Sequence, residues 1–413
     1  MTTRPRRTGA TRRQLLQGLA GAVALPSLLA VSGAAPADRR LVVVHVWGGW
    51  DPTFVFDPKD PADADGPYPE EGRNKADRST VEVFGGLPIL SNPERRPGVT
   101  RYFEAYGHET VVVNGLQVGS VGHPDAVRRI LTGTPTDHRP DLTAIVGSTD
   151  DGGAPTGFAD LSGAGIPAHL GAAGLRLGAH GQIASLLDDE ERPPAEASDA
   201  IARYLAQQTD RARLAATTPA DEAQLGDRLD SLDRAARLRA HGLALPEVGQ
   251  SFVADLQRAT ALIDQRAARA ILIDTHLPWD SHVAQQRQHG NFDELFIQLH
   301  SFREMLNAGG HDDVLVVVVS EMGRSPRRNI DGGTEHWPVT SAMLLGAGVH
   351  GGRVLGATDA GLRARGIDLD SGLPDDGKEP LRADQFCAGV LEACGVDPTA
   401  WLPQATPFRA PYS

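Results

Sequence analysis

Acidic and imidazole side chains recur in this chain where the backbone has just left an apolar stretch. Trp279-Asp280-Ser281-His282 carries an Asp-x-His pair, and Asp274-Thr275-His276 carries the same pair six residues earlier. Ser320-Glu321-Met322-Gly323-Arg324 places a carboxylate near a guanidinium, and Glu335-His336-Trp337-Pro338 follows a glycine turn. Nearer the start lie Gly48-Gly49-Trp50-Asp51 and Gly119-Ser120-Val121-Gly122-His123-Pro124-Asp125. Carboxylates and imidazoles drawn to one point make a divalent-metal site. Asp-x-His carries that meaning only in extended backbone, where residues i and i+2 point to the same side. In a turn the same pair is a cap. One or two divalent ions so held would activate a nucleophile and stabilise the leaving oxygen of a phosphate or sulfate ester. Arg324 is the expected fork for the non-reacting oxygens.

These groups need a scaffold that brings distant segments to one edge. Val314 to Val319 is an unbroken apolar, largely β-branched run, the pattern of a strand buried on both faces of a parallel sheet. Leu41 to Trp47 is a second such run, and Glu109–Val113, Ala270–Ile273 and Ser341–Leu345 are shorter ones. Each of the first four runs into a polar group: Asp51, the Ser120–Asp125 loop, Asp280 with His282, and Glu321. His336 lies on the Gly-rich loop after Glu321. In open α/β sheets the carboxyl ends of the strands are where ligands bind. Pro124 suits the first turn of a helix running to Thr132, whose free N–H groups would favour an anion. An amphipathic helix is expected over Phe292–Leu306 and a last one over Leu381–Ala393. Strand–helix–strand order through 270–320 implies a parallel crossover. Residues 194–268 read as two or three helices, broken near Thr217-Thr218-Pro219 and Gly242–Pro246, either an inserted cap or a cover for the sheet. Residues 52–100 and 133–185 read mostly as loops, with a polar cluster at Asp137, His138 and Arg139.

The first 37 residues stand apart. They hold five arginines and no acid, with Thr11-Arg12-Arg13-Gln14-Leu15-Leu16, a mild apolar stretch containing Gly18 and Gly21, then Ala35-Pro36-Ala37. This is the pattern of a twin-arginine export signal. The apolar part is too short and interrupted to span about 30 Å of hydrocarbon comfortably. Export would place the protein in the periplasm, at the cell envelope or outside the cell, with the twin-arginine translocase as its partner in transit and no transmembrane segment in the mature chain. The formal charge is −13 overall and near −18 without the leader, which argues against a nucleic-acid-binding face. The only two cysteines, Cys387 and Cys394, lie seven apart in the last expected helix, too far to bridge within it.

Taken together, the motifs at 279–282, 320–326 and 335–338, with Gly351-Gly352-Arg353-Val354-Leu355-Gly356, resemble an exported bacterial family catalogued as domain of unknown function 1501. Asp51 after its glycine pair, His123 ahead of Ile130-Leu131-Thr132-Gly133, and the twin-arginine start fit the same pattern. That family is similar to the alkaline phosphatase/sulfatase superfamily of metal-dependent ester hydrolases. The resemblance implies one α/β domain over 38–413, with a mostly parallel central sheet, helices on both faces and a helical insertion at 194–268. It places Asp51, Asp280, His282, Glu321 and His336 as metal ligands for one or two ions of Zn, Ca, Mg or Mn. It implies a small-molecule or glycan ester as substrate. The superfamily sets a Ser, Thr or modified Cys nucleophile at a helix N-terminus. Ser120 lies near such a start, with His123 and Asp125 as rivals, so Ser120, His123 and Arg324 are the candidate catalytic residues. The chain departs from the superfamily where Met322 follows Glu321 in place of an imidazole, and where Glu335 precedes His336 in place of Asp. The other reading is a catalytically inactive, metal-containing envelope protein on the same fold.

Overall fold

The computed structural model describes residues 36–59, 79–136, 138–149, 153–176, 194–246 and 248–413. The expected export signal, apart from Pro36 and Ala37, lies outside the described residues, as does Asp137. All the described residues fall in one unit, Ser32–Ser413.

Twelve strands are described: β1 (Arg40–Val46), β2 (Thr80–Phe84), β3 (Leu87–Ser91), β4 (Thr110–Gln117), β5 (Thr156–Asp160), β6 (Gly174–Arg176), β7 (Ala268–Asp274), β8 (Val314–Ser320), β9 (Gly323–Arg328), β10 (Thr334–Trp337), β11 (Val339–Gly346) and β12 (Arg353–Leu355). The helices are α1 (Pro97–Tyr106), α2 (His123–Thr132), α3 (Leu142–Ser148), α4 (Ala195–Ala215), α5 (Pro219–His241), α6 (Phe252–Asp264), α7 (Arg287–Ala308) and α8 (Ala383–Ala393).

Eight strands form the central sheet, in the order β12-β4-β11-β8-β1-β7-β5-β6. Every pairing is parallel except those of β11, which opposes both β4 and β8. The apolar runs are continuous because both faces are covered. Val42, Val44 and Val46 of β1 join the core formed with Phe292, Phe296 and Phe302 of α7. Leu41 and Val43 join the other core, with Ile130 of α2, Ile145 of α3 and Val390 of α8. Each such side chain contributes roughly 1.5–3 kcal/mol when fully buried, so polar groups are pushed to the strand ends.

The expected mostly parallel α/β sheet with helices on both faces is what forms. Three details differ. Residues 79–106 are not loop: β2 and β3 pair as a hairpin, and Pro97 opens α1, whose Tyr102 and Phe103 pack on Phe296. Residues 142–148 form α3, capped by the Asp141 side chain on the Ala144 N–H. The stretch after β8 is a second hairpin, β9–β10. The segment 194–268 gives three helices with breaks where expected. The last of them, α6, lays Leu256 and Leu262 into the core against the sheet. Both cysteines are buried and unbridged. Among the described residues no helix is long and apolar enough to cross a membrane.

Topology explains where the polar motifs go. β1, β4, β7 and β8 run the same way, so their carboxyl ends share one edge; Val46 lies opposite Ser320. β11 runs the other way, so it starts at that edge, and the strand leading into it, β10, carries His336 there.

Candidate metal centre

Four side chains meet above this edge. His123 is the first residue of α2; Asp280 and His282 lie on the segment after β7; His336 is on β10. The Nε2 atoms of His282 and His336 are 3.0 Å apart, and each is 3.2 Å from Asp280 Oδ1. His123 Nε2 is 3.5 Å from Asp280 Oδ2 and is buried without a hydrogen-bond partner. His123, Asp280 and His336 each offer a ligand atom within 4.8 Å of the others.

The far nitrogen of every imidazole is already committed. His123 Nδ1 is 2.7 Å from Glu321 Oε1, His282 Nδ1 is 3.0 Å from Glu335 Oε2, and His336 Nδ1 is 2.7 Å from the Val121 carbonyl. All three partners are acceptors, so the network assigns the proton of each neutral ring to Nδ1 and leaves Nε2 bare. Three bare nitrogens and one carboxylate then converge. A single shared proton could reconcile two of these lone pairs but not all four, whereas a cation reconciles them together. Tetrahedral ligands at about 2.0–2.1 Å from zinc stand roughly 3.3 Å apart, close to the four spacings given above, with His282 lying against Asp280 and His336 of the close group His123, Asp280 and His336. Imidazoles anchored through Nδ1 on carboxylates or carbonyls are the usual outer support of such ligands. The donor set fits one divalent ion.

Charge follows the same plan. Against the desolvation of its partial burial, the bond and the charge of Arg324 hold the Asp280 carboxyl down at about 2. The bond to Glu321 raises the pKa of His123. Glu321 is wholly buried, yet His123, His45 and the Gly48 N–H outweigh its desolvation and keep its pKa low.

The other expected residues are placed differently. Asp51 is buried and its carboxylate is engaged: Oδ1 takes the Thr53 N–H and hydroxyl, and Oδ2 takes the Gln285 amide at 2.6 Å. It acts as the cap of the turn at Pro52–Phe54. Glu321 supports His123 and also takes the Ser320 hydroxyl at 3.1 Å. Arg324, expected as an open fork for substrate oxygens, is fully buried. Its Nε donates to Gly49 O, Nη1 to Thr334 O, and Nη2 to Gly48 O, Trp279 O and Asp280 Oδ1. It ties three loops together and positions Asp280. Met322 is packed in the core. Ser120 lies in the loop before α2, its hydroxyl accepting the Gly122 N–H at 3.3 Å. The earlier Asp-x-His pair goes elsewhere: His276 reaches Asp255 of α6 at 2.7 Å.

Sequence reasoning missed His45, an imidazole inside an otherwise apolar strand, which was itself the signal. It is fully buried, 3.4 Å from Asp274 and 3.8 Å from Glu321. Burial lowers its pKa, but those two carboxylates more than offset this and leave it raised. Val121, whose carbonyl anchors His336, had no side-chain signal at all.

A family model described as "Protein of unknown function (DUF1501)" matches residues 188–408, more than half of the chain. The chain belongs to the DUF1501 family. Asp280, His282, Glu321, Arg324 and His336 lie within the DUF1501 match, and Asp51, Ser120 and His123 precede it. No curated protein matches this DUF1501 chain. Among solved structures it is similar to a protein in the alkaline phosphatase superfamily from Vibrio parahaemolyticus, at 9% identity and TM-score 0.39, over 94% of this chain and 76% of that one. It is also similar to the PsFucS1 sulfatase from Pseudoalteromonas sp., at 12% identity and TM-score 0.36, over 87% and 68% of the two chains. The soluble domain of lipooligosaccharide phosphoethanolamine transferase A from Neisseria meningitidis gives 13% identity and TM-score 0.37, over 88% and 92%. All three likenesses are weak.

Proposed function

We propose that this protein is an exported hydrolase of a phosphate or sulfate ester that depends on one divalent ion. The observation that carries the reading is the convergence of three bare imidazole nitrogens and the Asp280 carboxylate. His123, Asp280, His282 and His336 would hold the ion, and a nitrogen-rich set of this kind suits zinc best. A bound ion would polarise the ester oxygen and make nearby water more acidic. The rest is the work of the chain itself. Glu321 fixes the His123 tautomer, and Arg324 keeps Asp280 ionised and in place. The start of α2 has no side-chain cap, so the N–H groups of His123 and Asp125, with Pro124 between them carrying none, are available to an anionic ester oxygen. Ser120, three residues before His123, is the proposed attacking hydroxyl. The twin-arginine leader supports export through that translocase.

The test is to strip the protein with a chelator and add zinc back. Both the melting temperature and the turnover of an aryl phosphate or aryl sulfate should rise; if neither moves, the proposal fails. The second reading, an inactive metal-containing envelope protein, is favoured by the internal commitment of Arg324 and the apolar Met322 beside Glu321. Zinc retained at one equivalent, with no turnover for His336→Ala to abolish, would select it.

A further inference from the structure

We propose that Trp47 is a ring platform: the ester handled at this centre is carried on a six-membered ring, sugar or aryl, whose flat face lies on the exposed indole. This rests on the ester-hydrolase reading above and narrows its substrate class. Trp47 follows the last residue of β1 and is 45% exposed, whereas Trp50 and Trp279 nearby are fully buried. Its ring stacks on His123, with centroids 4.9 Å apart and planes at 26°. One face is thus used on a proposed ligand of the ion, and exposed indole surface remains beside the centre.

The exposure is not slack. Gly48, next in the chain, has φ +115°, and a Cβ there would come within 2.7 Å of the Asp280 amide nitrogen. The carbonyls of Gly48 and Gly49 are both held by Arg324. The backbone that presents the indole is therefore clamped from within the protein. Two more apolar side chains near the other imidazoles are exposed: Val121, whose carbonyl anchors His336, and Val283, next to His282. Glu335 of β10 is exposed as well, its carboxylate anchoring His282 and accepting the Asn329 amide. An aromatic face with polar neighbours suits a ring with one C–H or π face and a polar edge.

The experiment uses the zinc-loaded chain and three phosphonates, which cannot be hydrolysed: methylphosphonate, phenylphosphonate and the phosphonate analogue of glucose 6-phosphate. By calorimetry at least one ring compound should bind about ten-fold more tightly than methylphosphonate, the size expected of one stacking contact. Trp47→Ala should erase that preference and Trp47→Phe should restore most of it. Which ring gains tells sugar from aryl. Zinc affinity reports whether the Trp47→Ala centre is intact; should that variant fail to fold, Trp47→Leu against Trp47→Phe makes the same comparison. The proposal is overturned if neither ring outbinds methylphosphonate, if Trp47→Ala keeps the preference, or if it weakens all three equally. Failure of methylphosphonate to bind the native protein would instead break the ester reading, and the platform with it.

Discussion

Asp51, Glu321 and Arg324 come from the same sheet edge as His123, Asp280, His282 and His336, yet the two sets have opposite fates. The first three are buried, and their hydrogen bonds go to loop backbone, to neighbouring side chains and, from Glu321 and Arg324, to His123 and Asp280. The second four are part-exposed, and their lone pairs point at one another. Distance from the central strands separates them. A charged group just past β1 or β8 is covered by the loops above it, and a buried charge must be paired and hydrogen-bonded. Residues on the segment after β7, on β10 and at the start of α2 sit further out, where solvent reaches them. The inner set therefore builds the platform on which the outer set converges.

Substitution can break that division. Arg324→Met leaves the carbonyls of Gly48, Gly49, Trp279 and Thr334 without their donor. The expected loss is about 3–5 kcal/mol in urea unfolding, of similar size with and without zinc. A stable Arg324→Met protein that had lost only ester affinity would return Arg324 to the role of substrate fork. His336→Ala should do the reverse. Stability of the metal-free protein should change by less than about 1 kcal/mol. Zinc affinity, measured by chelator competition, should fall by roughly 100-fold or more, because a ligand and not only its support is removed.

Glu321→Gln probes the seam between the sets. It keeps the shape but weakens the hold on His123, so zinc affinity should fall by about 10- to 100-fold. Its pH dependence sharpens the test. The Glu321 bond raises the His123 pKa above 6.5. Protonated His123 thus stabilises the metal-free fold fully below that pH, and the contribution is lost as pH climbs through the raised value. Zinc must displace the same proton, so in the native protein its affinity drops as pH falls through that range. In the Glu321→Gln variant the drop should move to lower pH; an unmoved profile would show that Glu321 does not act through His123.

The inner strands were legible because burial on both faces writes itself as continuous apolar residues, as in Val314–Val319. The edge where they end was legible too, since each run stops at a polar cluster. What could not be read was depth. Asp51 and Asp280 look alike in sequence, and only the loops packed over Pro52–Phe54 make one a cap and leave the other open. Arg324 looked like a free fork because its acceptors are backbone carbonyls on two distant loops and its own hairpin, which have no residue signature. The β2–β3 hairpin was hidden for a different reason: β2 exposes both faces of its strand, so no buried face marked it.

The two Asp-x-His pairs give the finest comparison, and the smallest expected effect. In the first, Asp274 Oδ1 accepts the His276 N–H at 2.7 Å, a local turn, and His276 takes φ +51°. That turn sends the imidazole away from the edge to Asp255. In the second, His282 keeps its Nε2 beside Asp280. The spacing is the same, so the backbone decides which pair can bind. His276→Ala should leave zinc affinity within about two-fold, whereas His282→Ala should weaken it by at least ten-fold. Equal losses would mean that the turn at Asp274 opens and the first pair swings into the centre when the ion is bound.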